Sequence, residues 1–260
     1  MMDNIDFSQS EQYTLSIRLG AEGFAYSVFR PSEDPAVTCS SYATNEALSL
    51  TANLKRMFRE VECLSLPYRR VNVLMAGRRV TLMPLELFED EQAETVFYYN
   101  FQRMENERVQ YNILHQSNIV ALFGMEGSAC SFLTEQRPAV RFYAQTTPLI
   151  EYFTYKSRLG NNRKMYVNLW EEEMEVYVYE RSRLQTSNTF PCRETSDQVY
   201  YALYLWKLQG LDQERDELHL AGGTSEKREA LLAQLKRYIR QVFVLTPADN
   251  LDLQTITLCE

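Results

Sequence analysis

The feature that most restricts what this chain can fold into is a pattern that occurs twice, 150 residues apart. At that offset IRLGAEGFAYSVF (17–29) lies over VNLWEEEMEVYVY (167–179). Leu19 falls on Leu169, Glu22 on Glu172, Phe24 on Met174, Val28 on Val178 and Phe29 on Tyr179. In each copy apolar residues alternate on both sides of a short turn, which is the period of two paired β-strands. Similarity at a fixed offset marks a repeated unit. The expectation is an internal duplication, which strand register can test.

The rest of the chain extends the pattern. After the first copy come a strand near Val37–Tyr42 and a helix over 44–61 with Thr44 and Asn45 as caps. A strand at 71–77 follows, then a short strand, a helical stretch over 84–100, and strands at 109–115 and 118–125 around Gln116-Ser117. A helix at 127–135, a strand at 140–145 and a helix at 147–159 complete the first half. GNNRK (160–164) reads as a connector. Beyond it strands are expected at 165–169, 175–180 and 184–190, and a helix at 195–209 capped by Thr195, Ser196 or Asp197. A strand at 218–223 ending in a double glycine, a helix at 227–240 and a strand at 241–245 close the chain. Strand, turn, strand, strand, helix, strand, helix, strand thus occurs twice. The reading is an α/β fold of two halves, 1–159 and 160–260.

With 260 residues, 45% hydrophobic and 24% charged, the chain has the makings of a packed core, and disorder is excluded. Apolar runs such as Ile119–Phe123 are far below the ~18 residues of a membrane span. MMDNIDFSQSEQ has neither the basic nor the apolar region of a secretory signal, so a cytoplasmic protein with no membrane partner is expected. A net charge of −8 argues against nucleic acid as a partner. Cys39, Cys63, Cys130, Cys192 and Cys259 are far apart and odd in number, which suits free thiols in a reducing compartment rather than disulfides or zinc. His115 and His219 both read as packed or half-exposed strand residues. There is no Gly-x-Ser-x-Gly, P-loop, Gly-x-Gly-x-x-Gly or His-Glu-x-x-His. No catalytic residue and no metal ligand is nominated.

One motif carries a resemblance. LHLAGGTSEKREALLAQL (218–235) is a hydrophobic strand, Gly-Gly-Thr and a helix. Gly222 and Gly223 permit close approach of backbone to a ligand, and the helix start offers free N–H groups. This resembles the adenosine motif of the actin-like ATPase superfamily, whose two ribonuclease-H-like domains hold ATP between them. TPLIEYFTYKSRLGNNRKMYVNL (147–169) resembles that superfamily's linker helix. More narrowly, the chain is similar to a bacterial family given this fold, domain of unknown function 3822. The resemblance implies duplicated ribonuclease-H-like domains in an actin-like ATPase fold. It nominates Gly20, Gly222, Gly223 and Thr224 as contacts for ATP or ADP.

Two turns depart from that pattern. Active members open each half with strand-Asp-x-Gly-strand, the carboxylates holding Mg²⁺ and water. Here Arg18 stands for the first Asp, Asn168 for the second, and Trp170 for the second glycine. Trp170 is also expected to resist a positive φ and to crowd phosphates. Loss of both acids argues against Mg²⁺-dependent phosphoryl transfer. Glu22 and Glu171–Glu173 read as solvated turn carboxylates ahead of displaced metal ligands. Arg18 either grips an anion or pairs internally, for instance with Glu172, and internal pairing is favoured. The double glycine is either an architectural turn, which is favoured, or an adenine-nucleotide contact. Tyr98-Tyr99, Tyr152-Phe153-Tyr155 and Tyr200-Tyr201-Tyr204 read first as half-buried packing and second as a protein-contact face. The leading function is a catalytically inactive binding or scaffold protein with a protein partner, using the inherited cleft or a Tyr-rich face. The alternative is a nucleotide-binding protein or weak ATPase using the inter-domain cleft. A small-molecule kinase ranks last.

Overall fold

A computed structural model describes residues 5–20, 23–33 and 36–259. Its contacts divide the chain into two compact units, residues 1–148 with 252–260, and residues 149–251.

In the first unit β1 (Thr14–Gly20), β2 (Gly23–Phe29), β3 (Val37–Tyr42), β4 (Arg70–Met75) and β8 (Arg141–Ala144) form one sheet in the order β3-β2-β1-β4-β8. The first two neighbouring pairs are antiparallel and the last two parallel. In the second unit β9 (Lys164–Leu169), β10 (Glu173–Glu180), β11 (Arg183–Pro191), β12 (Glu217–Gly222) and β13 (Gln241–Val244) take the order β11-β10-β9-β12-β13 with the same directions. The 150-residue offset holds residue for residue in the leading hairpins. Leu19 pairs with Phe24 and Leu169 with Met174, while Ile17 pairs with Tyr26 and Val167 with Val176. The duplication is therefore a property of hydrogen-bonded register and not of composition alone.

Each central strand is buried on both faces, as parallel neighbours covered by helices require. In the first unit Leu15, Ile17 and Leu19 pack with Leu54 and Met57 of α1 (Leu50–Glu60) and Leu133 of α3 (Gly127–Gln136). In the second, Met165, Val167 and Leu169 pack with Ala202 and Trp206 of α5 (Thr195–Leu208) and Leu231 of α6 (Ser225–Leu235). Each such aliphatic side chain contributes about 1.5–3 kcal/mol by its removal from water. The opposite face of the second sheet is aromatic. Tyr166 stacks on Phe153 of α4 (Thr146–Ser157) at 4.4 Å, and Tyr177 and Tyr179 are buried beside it.

Between β4 and α3 the first unit carries an insertion: β5 (Val80–Pro84), α2 (Ala93–Asn100), β6 (Glu107–Leu114) and β7 (Ile119–Glu126). The strands form a separate sheet, β5-β7-β6, with α2 packed on Val120 and Leu122 through Phe97. The basic pair Arg78-Arg79 opens this insertion, and Arg79 anchors it. It donates to Glu107 at 2.7 Å and lies over the Phe97 and Phe101 rings.

Several local expectations need correction. Helix α1 starts at Leu50 with Ser49 as its cap, not at Thr44 or Asn45. Asn45 is held in a turn instead, where its side chain accepts from Ala47 and its backbone exchanges hydrogen bonds with the buried Asn53 amide. The cap of α5 is Glu194, which makes no side-chain capping bond. His115 lies in the turn between β6 and β7, not in a strand. His219 does lie in β12, stacked between Tyr166 and Phe243, with its Nε2 3.0 Å from Glu217.

Candidate functional site

The duplicated hairpins place Arg18 of β1 and Asn168 of β9 at equivalent positions, cross-strand from Ala25 and Glu175. Each is held by a carboxylate of its own unit.

Arg18 meets Asp252 of α7 (Leu251–Thr255). Its Nη1 donates to Oδ1 at 2.8 Å and to Oδ2 at 3.1 Å. The Asp252 side chain is 0% exposed, and the Gln145 amide also donates to it, at 3.1 Å. The last residues of the chain make this possible. Leu253 and Ile256 pack on Ala25, Leu74 and Tyr143, the sheet face that Arg18 shares. Internal pairing is thus observed, with Asp252 as the partner; Glu172 pairs with Arg193 in the second unit. Cys39 packs against the same cluster. Burial first, and the Asp252 carboxylate next, push its thiol up to about 11, with Arg18 opposing. At pH 8 such a thiol is ionised about one part in a thousand. Alkylation of Cys39 by iodoacetamide at pH 8 is expected to be at least roughly tenfold slower than that of a free cysteine peptide, as peptide mapping would show.

In the second hairpin one carboxylate oxygen of Glu175 receives two donors, the Asn168 amide at 3.2 Å and the Trp170 indole Nε1–H at 2.9 Å. The Trp170 backbone N–H closes the turn on Glu173 O at 2.8 Å. Neither Gly20 nor Trp170 has a positive φ, so the expected backbone strain at Trp170 does not arise. Gly20 is set by close approach, since a Cβ there would lie 3.2 Å from Ala76 Cβ. Glu22 lies outside the described residues. Of the run Glu171–Glu173, Glu172 has its arginine and the Glu171 carbonyl accepts from Lys227 Nζ at 3.4 Å.

The Gly-Gly-Thr turn follows β12. Gly222 and Gly223 have φ +71° and +59°, left-handed conformations that favour glycine. Both N–H groups serve the fold: Gly222 donates to Ala248 O and Gly223 to Leu169 O, each at 2.8 Å. Both carbonyls accept from Arg228 Nη1, at 2.6 and 2.8 Å, and that nitrogen also meets Asp249 at 2.6 Å. Thr224 Oγ1 caps α6 by accepting from Lys227 N at 3.3 Å. Arg228, Glu175, Gln145 and Asp252 escaped the sequence reading. Hairpin register could have found Glu175. Nothing local marks Asp252, which lies 234 residues from Arg18.

Neither the Arg18 guanidinium nor the Asn168 amide is the hard carboxylate ligand that Mg²⁺ takes. Among the described residues no three His, Cys, Asp or Glu side chains come together to hold a metal ion. Nor is any helix among them long and apolar enough to cross a membrane.

Comparison with known proteins agrees with this architecture. The model of a family described as "Protein of unknown function (DUF3822)" matches residues 2–242. A crystal structure from Bacteroides thetaiotaomicron, of a protein with actin-like ATPase fold and unknown function, is 49% identical with a TM-score of 0.87. The match covers 98% of this chain and 99% of that one. The PilM-PilN type IV pilus biogenesis complex contains a chain 14% identical, with a TM-score of 0.58, over 90% of this chain and 88% of that one. No curated protein matches. The fold is thus that of the actin-like ATPases.

Proposed function

The chain belongs to the DUF3822 family, and from that premise we propose that it is a catalytically inactive member of the actin-like ATPase fold, a bacterial cytoplasmic binding or scaffold protein. The observation that carries this reading is the state of the two positions where Mg²⁺-binding carboxylates stand in active members. Arg18 is neutralised by buried Asp252, and Asn168 is bonded to Glu175. The groups that remain at those positions neither charge a metal site nor supply a base to activate water, which phosphoryl transfer needs. The engaged N–H groups of Gly222 and Gly223 favour the architectural reading of the double glycine.

The proposed partner is another protein. On α5, Tyr200, Tyr204 and Leu208 recur at helical spacing and are 62%, 51% and 63% exposed, with the two tyrosine rings stacked. Exposed tyrosines of this kind are enriched at protein contacts. PilM, which shares the fold, is solved with a protein partner, PilN.

The test is thermal unfolding with ATP or ADP, with and without Mg²⁺. A ligand at 100 times its Kd stabilises a protein by about 2.7 kcal/mol, which is roughly 5–10 °C at this size. No shift at millimolar nucleotide is expected. A shift that requires Mg²⁺ would overturn the proposal, and a shift without Mg²⁺ would favour the alternative of a nucleotide-binding protein.

A further inference from the structure

We propose that a cavity on the first unit, between α1, α3 and the start of β6, binds a small anionic ligand through a phosphate-monoester group. The cavity is an open surface groove of about 340 Å³, lined by Thr51 and Lys55 of α1, Asn106 and Arg108, and Gly127, Ser128, Ser131, Phe132 and Glu135 of α3, with Lys55, Arg108 and Glu135 exposed. It involves none of the residues of the duplicated hairpins or the Gly-Gly-Thr turn.

Charge carries the argument. Lys55 and Arg108 come from different elements and converge on one concavity, and among the described residues neither has a carboxylate within ion-pair distance. This is unlike Arg18, Arg79, Arg163 and Arg228, each of which is paired. Ser131 Oγ accepts from Arg108 Nη2 at 3.0 Å, which orients the guanidinium and leaves its other donors open. Lys55 Nζ stands 5.6 Å from the Phe132 ring centre, and Phe58 packs edge-on against that ring. Phe132 therefore gives the cavity an apolar wall beside its cations, a place for the organic part of a ligand.

Two acids limit what fits. Glu135 lines the cavity and pairs with neither cation, so the lining carries one net positive charge. Glu126, which accepts from the Thr51 hydroxyl at 2.9 Å, offsets part of that charge. The Ser128 hydroxyl and the Arg108 fork suit several oxygens on one centre, the geometry of a phosphoryl group rather than of a halide, whereas the Thr51 proton is spent on Glu126. Ser128 is already positioned, its Oγ accepting from Asn106 Nδ2 at 2.7 Å. Gly127 must be small here, because a Cβ would meet Asn106 Oδ1 at 2.6 Å.

The probe is phenyl phosphate, titrated into the full chain and followed by amide NMR and ³¹P line broadening, with phenol and inorganic phosphate in parallel. Saturable shifts at Gly127, Ser128, Ser131 and Phe132 are expected, tighter for phenyl phosphate than for inorganic phosphate and absent with phenol. Lys55→Ala with Arg108→Ala should weaken binding by about tenfold or more, and Glu135→Gln should tighten it several-fold. All three positions are at the surface, so these variants should unfold at nearly the wild-type temperature. No saturable shift at 20-fold molar excess of a millimolar probe, or binding unchanged by loss of both cations, would overturn the proposal. Equal response to phenol would also overturn it, since the wall and not the cations would then be the binder.

Discussion

Gly222→Ala is expected to lower the melting temperature by about 8–16 °C, which corresponds to roughly 4 kcal/mol at this chain length. A Cβ at Gly222 would lie 2.2 Å from Leu169 O, 2.7 Å from Leu169 N and 2.7 Å from Asn168 Oδ1. Two of those atoms are backbone of β9, the central strand of its sheet, which cannot retreat without breaking the ladder to β10. The φ of +71° adds strain of its own, about 1–3 kcal/mol for a residue with a side chain. Gly210 is the internal control. Its φ is +61°, but a Cβ there meets nothing within 4 Å, so Gly210→Ala should cost only about 1 kcal/mol. Differential scanning fluorimetry on the two variants separates close packing from backbone preference. It also separates the two readings of the double glycine. A glycine kept open for a nucleotide would cost only the backbone strain seen at Gly210 when replaced by alanine in the ligand-free protein, whereas a glycine wedged against β9 would cost several times more. An unchanged melting temperature for Gly222→Ala would refute the architectural role.

What the sequence disclosed follows the distance over which each contact is encoded. The hairpins β1-β2 and β9-β10 pair residues a few positions apart, so alternation and turn length alone fix their register. Repetition then reveals that the two halves share a plan. The double glycine was legible as a turn for the same reason, since its demands on φ are local. Helix starts were less legible. Thr44, Asn45, Thr195, Ser196 and Asp197 are all competent caps by type, yet Ser49 and Glu194 hold the positions, because a turn fixed by Asn53 and the end of β11 decide where each helix begins. The strands and helix of the insertion between β4 and α3 are visible in the sequence, but their separate sheet is not. Its pairing of β5 with β7 spans a whole helix and strand. Least legible was Asp252, because nothing near position 18 or position 252 announces a partner at the far end of the chain.

That pair yields the second large effect. Arg18→Asp restores the residue type that active actin-like ATPases carry at this turn, and it is expected to destabilise the protein without conferring ATPase activity. Asp252 is fully buried and its carboxylate is compensated by Arg18 and the Gln145 amide. Removing one member of a buried pair costs about 3–5 kcal/mol, because the other charge stays out of water and unpaired. An aspartate at 18 adds a second like charge beside it, so a fall in melting temperature of at least roughly 8–16 °C is expected. Exchanging both residues for apolar ones, Arg18→Leu with Asp252→Leu, should recover most of that loss, since neither charge is then stranded. The cycle of single and double variants distinguishes a pair held together by mutual compensation from two residues that merely lie close. If Arg18→Asp melted at the wild-type temperature and hydrolysed ATP, the first turn would be one substitution from activity and the inactive reading would fall. If the double variant stayed as unstable as the single one, the ends of α7 and β1 would depend on the charges themselves. The physical expectation is neither. Arg18 and Asp252 tie residues 252–256 to the first strand, so an acid at position 18 would face a buried carboxylate instead of the cation that compensates it.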